Sequence, residues 1–193
     1  MKFHCILLAL LLALVLSACS PGEQGDNIGE FQNAVVVMST EGELKTLEPG
    51  MKRSEIINFA RIDFSPFMLC TTAENNSVIV QVSSQTGATE FAIETIKVIP
   101  APSTTSFTRE YYEQIKTGMS LEQVLELIGM PDGCYDYLIT SWQPKCTYYE
   151  VSHDEKLYIT WVNNKSEGTP SLIVEEIEFN NFVGEYHSHF PVG

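Results

Sequence analysis

The chain has 193 residues, with 25 acidic against 11 basic side chains and a formal net charge of −14. Such a surface repels nucleic acid and anionic lipid faces, which excludes partners held by negative charge. Apolar residues make up 44% of the chain, enough for a core, and the length suits one ordinary domain or two small ones.

The N-terminus carries the clearest signal. Met1-Lys2-Phe3-His4-Cys5 is followed by an unbroken apolar run from Ile6 to Leu16. A short positive start before a hydrophobic stretch is the pattern of a secretory signal. The run is too short for a membrane span, which needs about 20 apolar residues. It closes on Leu16-Ser17-Ala18-Cys19. Small residues ending on a cysteine resemble the lipobox of bacterial lipoproteins. That resemblance implies residues 1–18 as a signal peptide, acylation of Cys19, and a lipid anchor in the cell membrane or outer membrane. The chain would then face the periplasm or the cell exterior. Ser20 stands where an aspartate would favour retention at the inner membrane of a Gram-negative cell. Cleavage also removes Lys2, leaving 25 acidic against 10 basic residues, a net of −15. Residues 19–34, with three glycines between Ser20 and Gly29, read as a flexible tether spanning ~20–24 Å.

Next come two segments that match at an offset of 68. Leu47-Glu-Pro-Gly-Met51 precedes an apolar pattern at Ile56, Ile57, Phe59 and Ala60; Ile115-Lys-Thr-Gly-Met119 precedes Val124, Leu125, Leu127 and Ile128. Each glycine is predicted to end one segment in a left-handed conformation, with a helix starting after it. Ser120 and Gln123 form a capping-box pattern, and Gly129 and Pro131 stop the second helix. A further helix is predicted before each glycine, at 41–47 and, behind Thr108, at 109–117. Strands are predicted over 68–74, 77–83 and 89–98, then over 146–151, 156–163 and 171–180. Alternation puts Val78, Val80 and Val82, like Leu157, Ile159 and Trp161, on the helix-facing side, with Ile79, Gln81, Tyr158 and Thr160 facing outward. The expected architecture is α+β: two tandem units, each of two short helices packed on a small antiparallel sheet. The units span 35–99 and 105–181, with a proline-containing linker at 100–104 and a tail at 182–193.

The stretch from Tyr112 to Pro131, Tyr-Glu-Gln-Ile-Lys-Thr-Gly-Met-Ser-Leu-Glu-Gln-Val-Leu-Glu-Leu-Ile-Gly-Met-Pro, resembles the helix-turn-helix signature of two groups. One is the small outer-membrane assembly lipoproteins of the SmpA/OmlA or BamE type. The other is the β-lactamase inhibitory protein family, which carries the unit twice and binds its enzyme across a concave sheet. By that resemblance Cys134 and Cys146 are a loop-closing disulfide between the second helix and the first strand, worth about 3 kcal/mol by chain entropy. Cys70, aligned with Cys146 through Cys70-Thr-Thr-Ala-Glu74 and Cys146-Thr-Tyr-Tyr-Glu150, then reads as the orphan half of a lost bridge, buried as a small apolar residue.

No zinc, nucleophile-elbow, Cys-x-x-Cys or phosphate-loop signature is present in the sequence. His153-Asp154 reads as an exposed turn. His187 and His189 lie two apart without a third metal ligand. Glu175, Glu176 and Glu178 alternate faces along a strand. The expectation is a non-catalytic binding module without cofactor or metal. Its partner would be another envelope protein, its membrane contact the lipid on Cys19, with nucleic acid excluded. The alternative is an inhibitor of an exported enzyme. The aromatic-rich second unit supplies the candidate partner-binding residues Trp142, Tyr158, Tyr137 and Tyr149, since exposed aromatics anchor interfaces.

Overall fold

A computed structural model describes residues 30–63, 66–84, 90–104, 106–135, 145–164 and 171–181. The first half holds β1 (Glu30–Phe31), β2 (Val35–Met38), β3 (Leu44–Leu47), α1 (Arg53–Ile56) continued by a 3-10 turn (Ile57–Phe59), β4 (Ile62–Asp63), β5 (Phe67–Thr71), β6 (Ser77–Ser84) and β7 (Phe91–Ile99). The second holds α2 (Arg109–Tyr112), α3 (Leu121–Ile128), β8 (Gly133–Tyr135), β9 (Lys145–Glu150), β10 (Glu155–Asn164) and β11 (Ser171–Asn181). One antiparallel sheet runs β1-β7-β6-β5-β2-β3 with β4 paired to β5, and the other runs β11-β10-β9-β8.

This corrects the expected α+β architecture of two tandem units with two helices each. Of the described residues, 49% are strand and 15% helix, with about three short helices. The stretch 41–47 is not helical: Leu44–Leu47 is β3, hydrogen-bonded to β2. Turn chemistry decides it. Ser39 Oγ accepts from the Glu41 and Glu43 amides, and Gly42 takes φ +85°, so the backbone closes a hairpin instead of a helical turn. The helix expected over 109–117 is α2, only Arg109–Tyr112. Glu30–Gln32, read as tether, pair with β7, where Phe31 lies opposite Lys97 and the Gln32 N–H donates to Ile96 O at 3.0 Å.

The two Gly-Met segments nonetheless make the same contacts. Gly50 and Gly118 have φ of +91° and +88°. Gly50 N–H donates to Ile93 O while Ile93 N–H donates to Met51 O; Gly118, Val174 and Met119 repeat the pattern, all four bonds being 2.8 Å. The methionine sulfurs accept the amides three residues back, Glu48 N to Met51 Sδ at 3.3 Å and Lys116 N to Met119 Sδ at 3.1 Å. Each glycine thus brings the chain onto the last strand of a sheet in chain order, β7 or β11, and each methionine closes the turn. The helix starts match too, with the Lys52 N–H donating to Glu55 and the Ser120 N–H to Gln123, both at 2.9 Å. Ser120 Oγ accepts in return from the Gln123 amide, completing the expected capping box. A bulge interrupts β7 at Glu94, opposite Gln81 and Val82, and β11 at Glu175, opposite Thr160 and Trp161.

Packing fills both faces of the first sheet. Val78, Val80 and Val82 are fully buried in a cluster with Ile56, Met68 and Ile96. The opposite face, expected to lie open at Ile79 and Gln81, is also buried, those residues being 6% and 8% exposed. Ile79, Leu69, Phe67, Ile62 and Ile99 share one cluster with Leu121, Val124, Leu125 and Ile128 of α3 and with Leu157, Ile159 and Trp161 of the second sheet. Helix α3 therefore lies between the sheets, touching β7 on one side and β11 on the other. A Lys97–Glu122 ion pair at 3.5 Å joins β7 to that helix.

The left-handed glycines generate a test. A Cβ at Gly118 meets nothing within 4 Å, so conformation alone is at stake there. Gly118→Ala should lose ~1–2 kcal/mol, the cost of placing an L-residue in that region, and Gly118→Asn should lose less. The check is a lowered urea midpoint with an unchanged slope.

Candidate functional site

Register sorts the aromatic residues of the second sheet by parity. Tyr149 lies opposite Leu157 and Tyr148 opposite Tyr158. Leu157, Ile159 and Trp161 point into the core, so Tyr149 joins them, 2% exposed, and its hydroxyl donates to Gly129 O at 3.1 Å. Tyr149, read from the sequence as a partner-binding residue, is thus a core residue that fastens β9 to the end of α3. The same parity buries Thr147, whose Oγ1 accepts from the Trp161 Nε1–H at 2.9 Å.

The outer face carries the other set. Tyr148 and Tyr158 are half-buried and their rings stand 6.4 Å apart. Lys156 Nζ sits 4.3 Å from the centre of the Tyr148 ring and 3.5 Å from the Glu150 carboxylate. Gly133 makes room on the neighbouring strand, since a Cβ there would come within 2.5 Å of the Tyr148 ring. Glu176 is opposite Thr160, and Glu178 opposite Tyr158; both are exposed. A cation-bearing aromatic pair flanked by carboxylates can offer apolar contact, phenol hydrogen bonds and negative charge on one sheet face. Tyr148 and Gly133 were missed from sequence. The signal was there, because Leu157-x-Ile159 sets the inward parity and Tyr148-Tyr149 must split across it.

Tyr158 therefore lies where it was expected, whereas Trp142 and Tyr137 lie outside the described residues, as do Cys19, His187 and His189. Cys134 is opposite Thr147 and packs against the core, while Cys146 is opposite Tyr135 and Thr160. The two cysteines are on neighbouring strands but on opposite faces, so a bridge between them requires β8 to shift by one residue. Burial pushes the Cys146 thiol up to about 11. Cys70 is fully buried and burial pushes its thiol up to about 12. It is opposite Val78, the place that Tyr149 takes opposite Leu157. Its counterpart in the second sheet is thus Tyr149, not Cys146, and the reading of Cys70 as half of a lost bridge falls.

His153 and Asp154 are highly exposed in the turn before β10. Among the described residues no group of His, Cys, Asp and Glu could hold a metal ion. A cleft of about 640 Å³ opens beside α3 between the sheets, lined among others by Phe31, Phe67, Phe91 and Leu172. Its charged groups are engaged within the molecule: Lys97 with Glu122 at 3.5 Å, and Glu94 accepting from Gln81 at 3.1 Å. No described helix is long and apolar enough to cross a membrane. No family model, curated protein or solved structure matches the chain.

Burial pushes the Tyr149 phenol well above its usual value of 10.0, with the Asp132 carboxylate acting in the same direction. The folded state thus holds that proton more tightly than the unfolded chain. Its contribution is complete below about pH 10 and is lost as pH rises beyond that. Tyr149→Phe should lose ~1 kcal/mol at neutral pH with the hydrogen bond to Gly129, yet flatten the alkaline fall in stability. Urea unfolding from pH 7 to pH 11 reads both effects.

Proposed function

We propose that this protein is a non-catalytic lipoprotein of the cell envelope, anchored through Cys19, whose second sheet binds another envelope protein. The observation that carries the reading is the half-buried Tyr148–Tyr158 pair on the outer face of β9 and β10. The corresponding pair in the first sheet, Leu69 opposite Ile79, is packed into the core. A tyrosine pair suits a face that must be wet alone and dry in a complex, because each ring has an apolar body and a polar tip. The anchor rests on the lipobox resemblance of Leu16 to Cys19 and on the glycine-rich stretch behind it. Anchoring favours a resident envelope role over a diffusing enzyme inhibitor.

The test is capture from solubilised envelope by the lipidated protein, alongside Tyr158→Ala and Tyr148→Ala. A specific protein should be retained at physiological salt by the parent. Each variant should lose ~1–2 kcal/mol of binding, as expected for truncating an interface anchor, with its urea midpoint kept. Gly133→Ala should weaken capture similarly by displacing the Tyr148 ring. Recovery of no partner, or capture indifferent to both tyrosines, would overturn the reading.

A further inference from the structure

The two sheets end differently at corresponding edges. In the first, β7 bonds to Gly50 and Met51 through Ile93, passes the bulge opposite Gln81 and Val82, and then receives Glu30–Gln32, with the Gln32 N–H donating to Ile96 O. In the second, β11 bonds to Gly118 and Met119 through Val174 and passes a bulge opposite Thr160 and Trp161. From Ile177 onward β11 is the edge of its sheet among the described residues. Ile96 is opposite Val80 and Ile177 opposite Ile159, so Ile177, Glu178 and Phe179 stand where Ile96, Lys97 and Val98 stand in the first sheet.

We propose that the β11 edge from Ile177 to Asn181 takes up an extended, basic segment of a partner protein as an added strand. The first sheet shows the backbone geometry, since a short segment of this chain already occupies the matching edge. Strand addition uses main-chain hydrogen bonds for affinity and alternate side chains for selection. The side chains select for charge. Opposite Lys97 sits Phe31, its ring centre 5.5 Å from the ammonium. The counterpart of Lys97 is Glu178, with Glu176 two residues earlier on the same open face and Tyr158 across the ladder. A lysine or arginine opposite Glu178 is the complement.

Copies of this chain fit that edge poorly. Glu30-Phe31-Gln32 has no basic residue, and β11 against β11 would bring carboxylates together, which is destabilising for directly opposed like charges. Exposed glutamates blunt an edge against indiscriminate pairing; the same residues admit a strand of opposite charge.

The inference rests on the reading that the second sheet binds proteins. The probe is a capped, labelled Val-Lys-Val-Lys-Val peptide titrated into the full chain, with Val-Glu-Val-Glu-Val as its control and amide exchange followed residue by residue. Saturable binding of the lysine peptide should slow exchange at Ile177 and Phe179. The doubly substituted Glu176→Lys, Glu178→Lys variant, altered only at exposed positions, should reverse the preference between the peptides by about tenfold or more. No binding, binding without protection in β11, or a preference untouched by the charge reversal overturns the proposal. So does protection already present without peptide: its independence of protein concentration would assign the edge to this chain's own residues, and its rise with concentration to a second copy. Envelope capture lost in Tyr158→Ala but unchanged in the charge-reversed variant would leave the binding role standing and remove this inference alone.

Discussion

Helix α3 has to satisfy two sheets at once, and the rest of the fold depends on it. Leu121, Val124, Leu125 and Ile128 are all buried in a cluster that includes Phe67, Leu69 and Ile79 from one sheet and Leu157, Ile159 and Trp161 from the other. Burying a side chain of this size contributes ~1.5–3 kcal/mol, so one two-turn helix holds much of the apolar contact between the halves. The first sheet is consequently buried on both faces, with α1 on one side and α3 on the other. That explains the composition of β6, where Val78-Ile79-Val80-Gln81-Val82 is nearly continuous in apolar residues, as strands covered on both faces tend to be. The linker is drawn into the same joint: Ala101 N–H donates to Asn76 Oδ1 at 3.0 Å, and Pro102 lies against Gly129 at the end of the helix.

Much of this was legible in the sequence where short-range chemistry decides. The strands β6, β9, β10 and β11 follow from alternation between turn residues, and the Gly-Met turns from the need for positive φ beside a helix start. What was not legible involved contacts between distant segments. Alternation placed Ile79 and Gln81 on the face away from α1, but no periodicity within β6 tells whether another helix covers that face. Analogy with the residues before Gly118 predicts a helix over 41–47. The local signal in Ser39-Thr-Glu-Gly42 was a turn, and it outweighs an analogy carried across 68 residues. Cys70 was misaligned for a related reason. A matching Cys-Thr pair is a weaker guide than the ladder, which ties Cys70 to Val78 and Tyr149 to Leu157.

The candidate site repeats that lesson at the scale of one residue. Tyr148 and Tyr149 are neighbours of the same type, yet one phenol is half-buried on the outer face and the other donates to Gly129 inside the core. Strand parity separates them, and it does so for Cys134 and Cys146 as well. The family resemblance implied a bridge, whereas register sets the two cysteines on opposite faces.

The same frame also explains why the halves should differ in what they do. At matching positions the first sheet has Leu69 opposite Ile79 and the second has Tyr148 opposite Tyr158. Aliphatic residues there suit permanent burial against α3; tyrosines suit a surface that is wet for part of its life. On the last strand of each sheet, Lys97 of β7 reaches Glu122 within the molecule, whereas Glu178 of β11 stays exposed. One set of backbone contacts thus serves an inward-looking sheet whose outer residues are spent on internal packing, and an outward-looking sheet whose corresponding residues keep polar tips and exposed carboxylates. Since both sheets share one helix between them, the inward sheet braces that helix. The outer face of the other sheet is then free to carry residues chosen for contact rather than for stability.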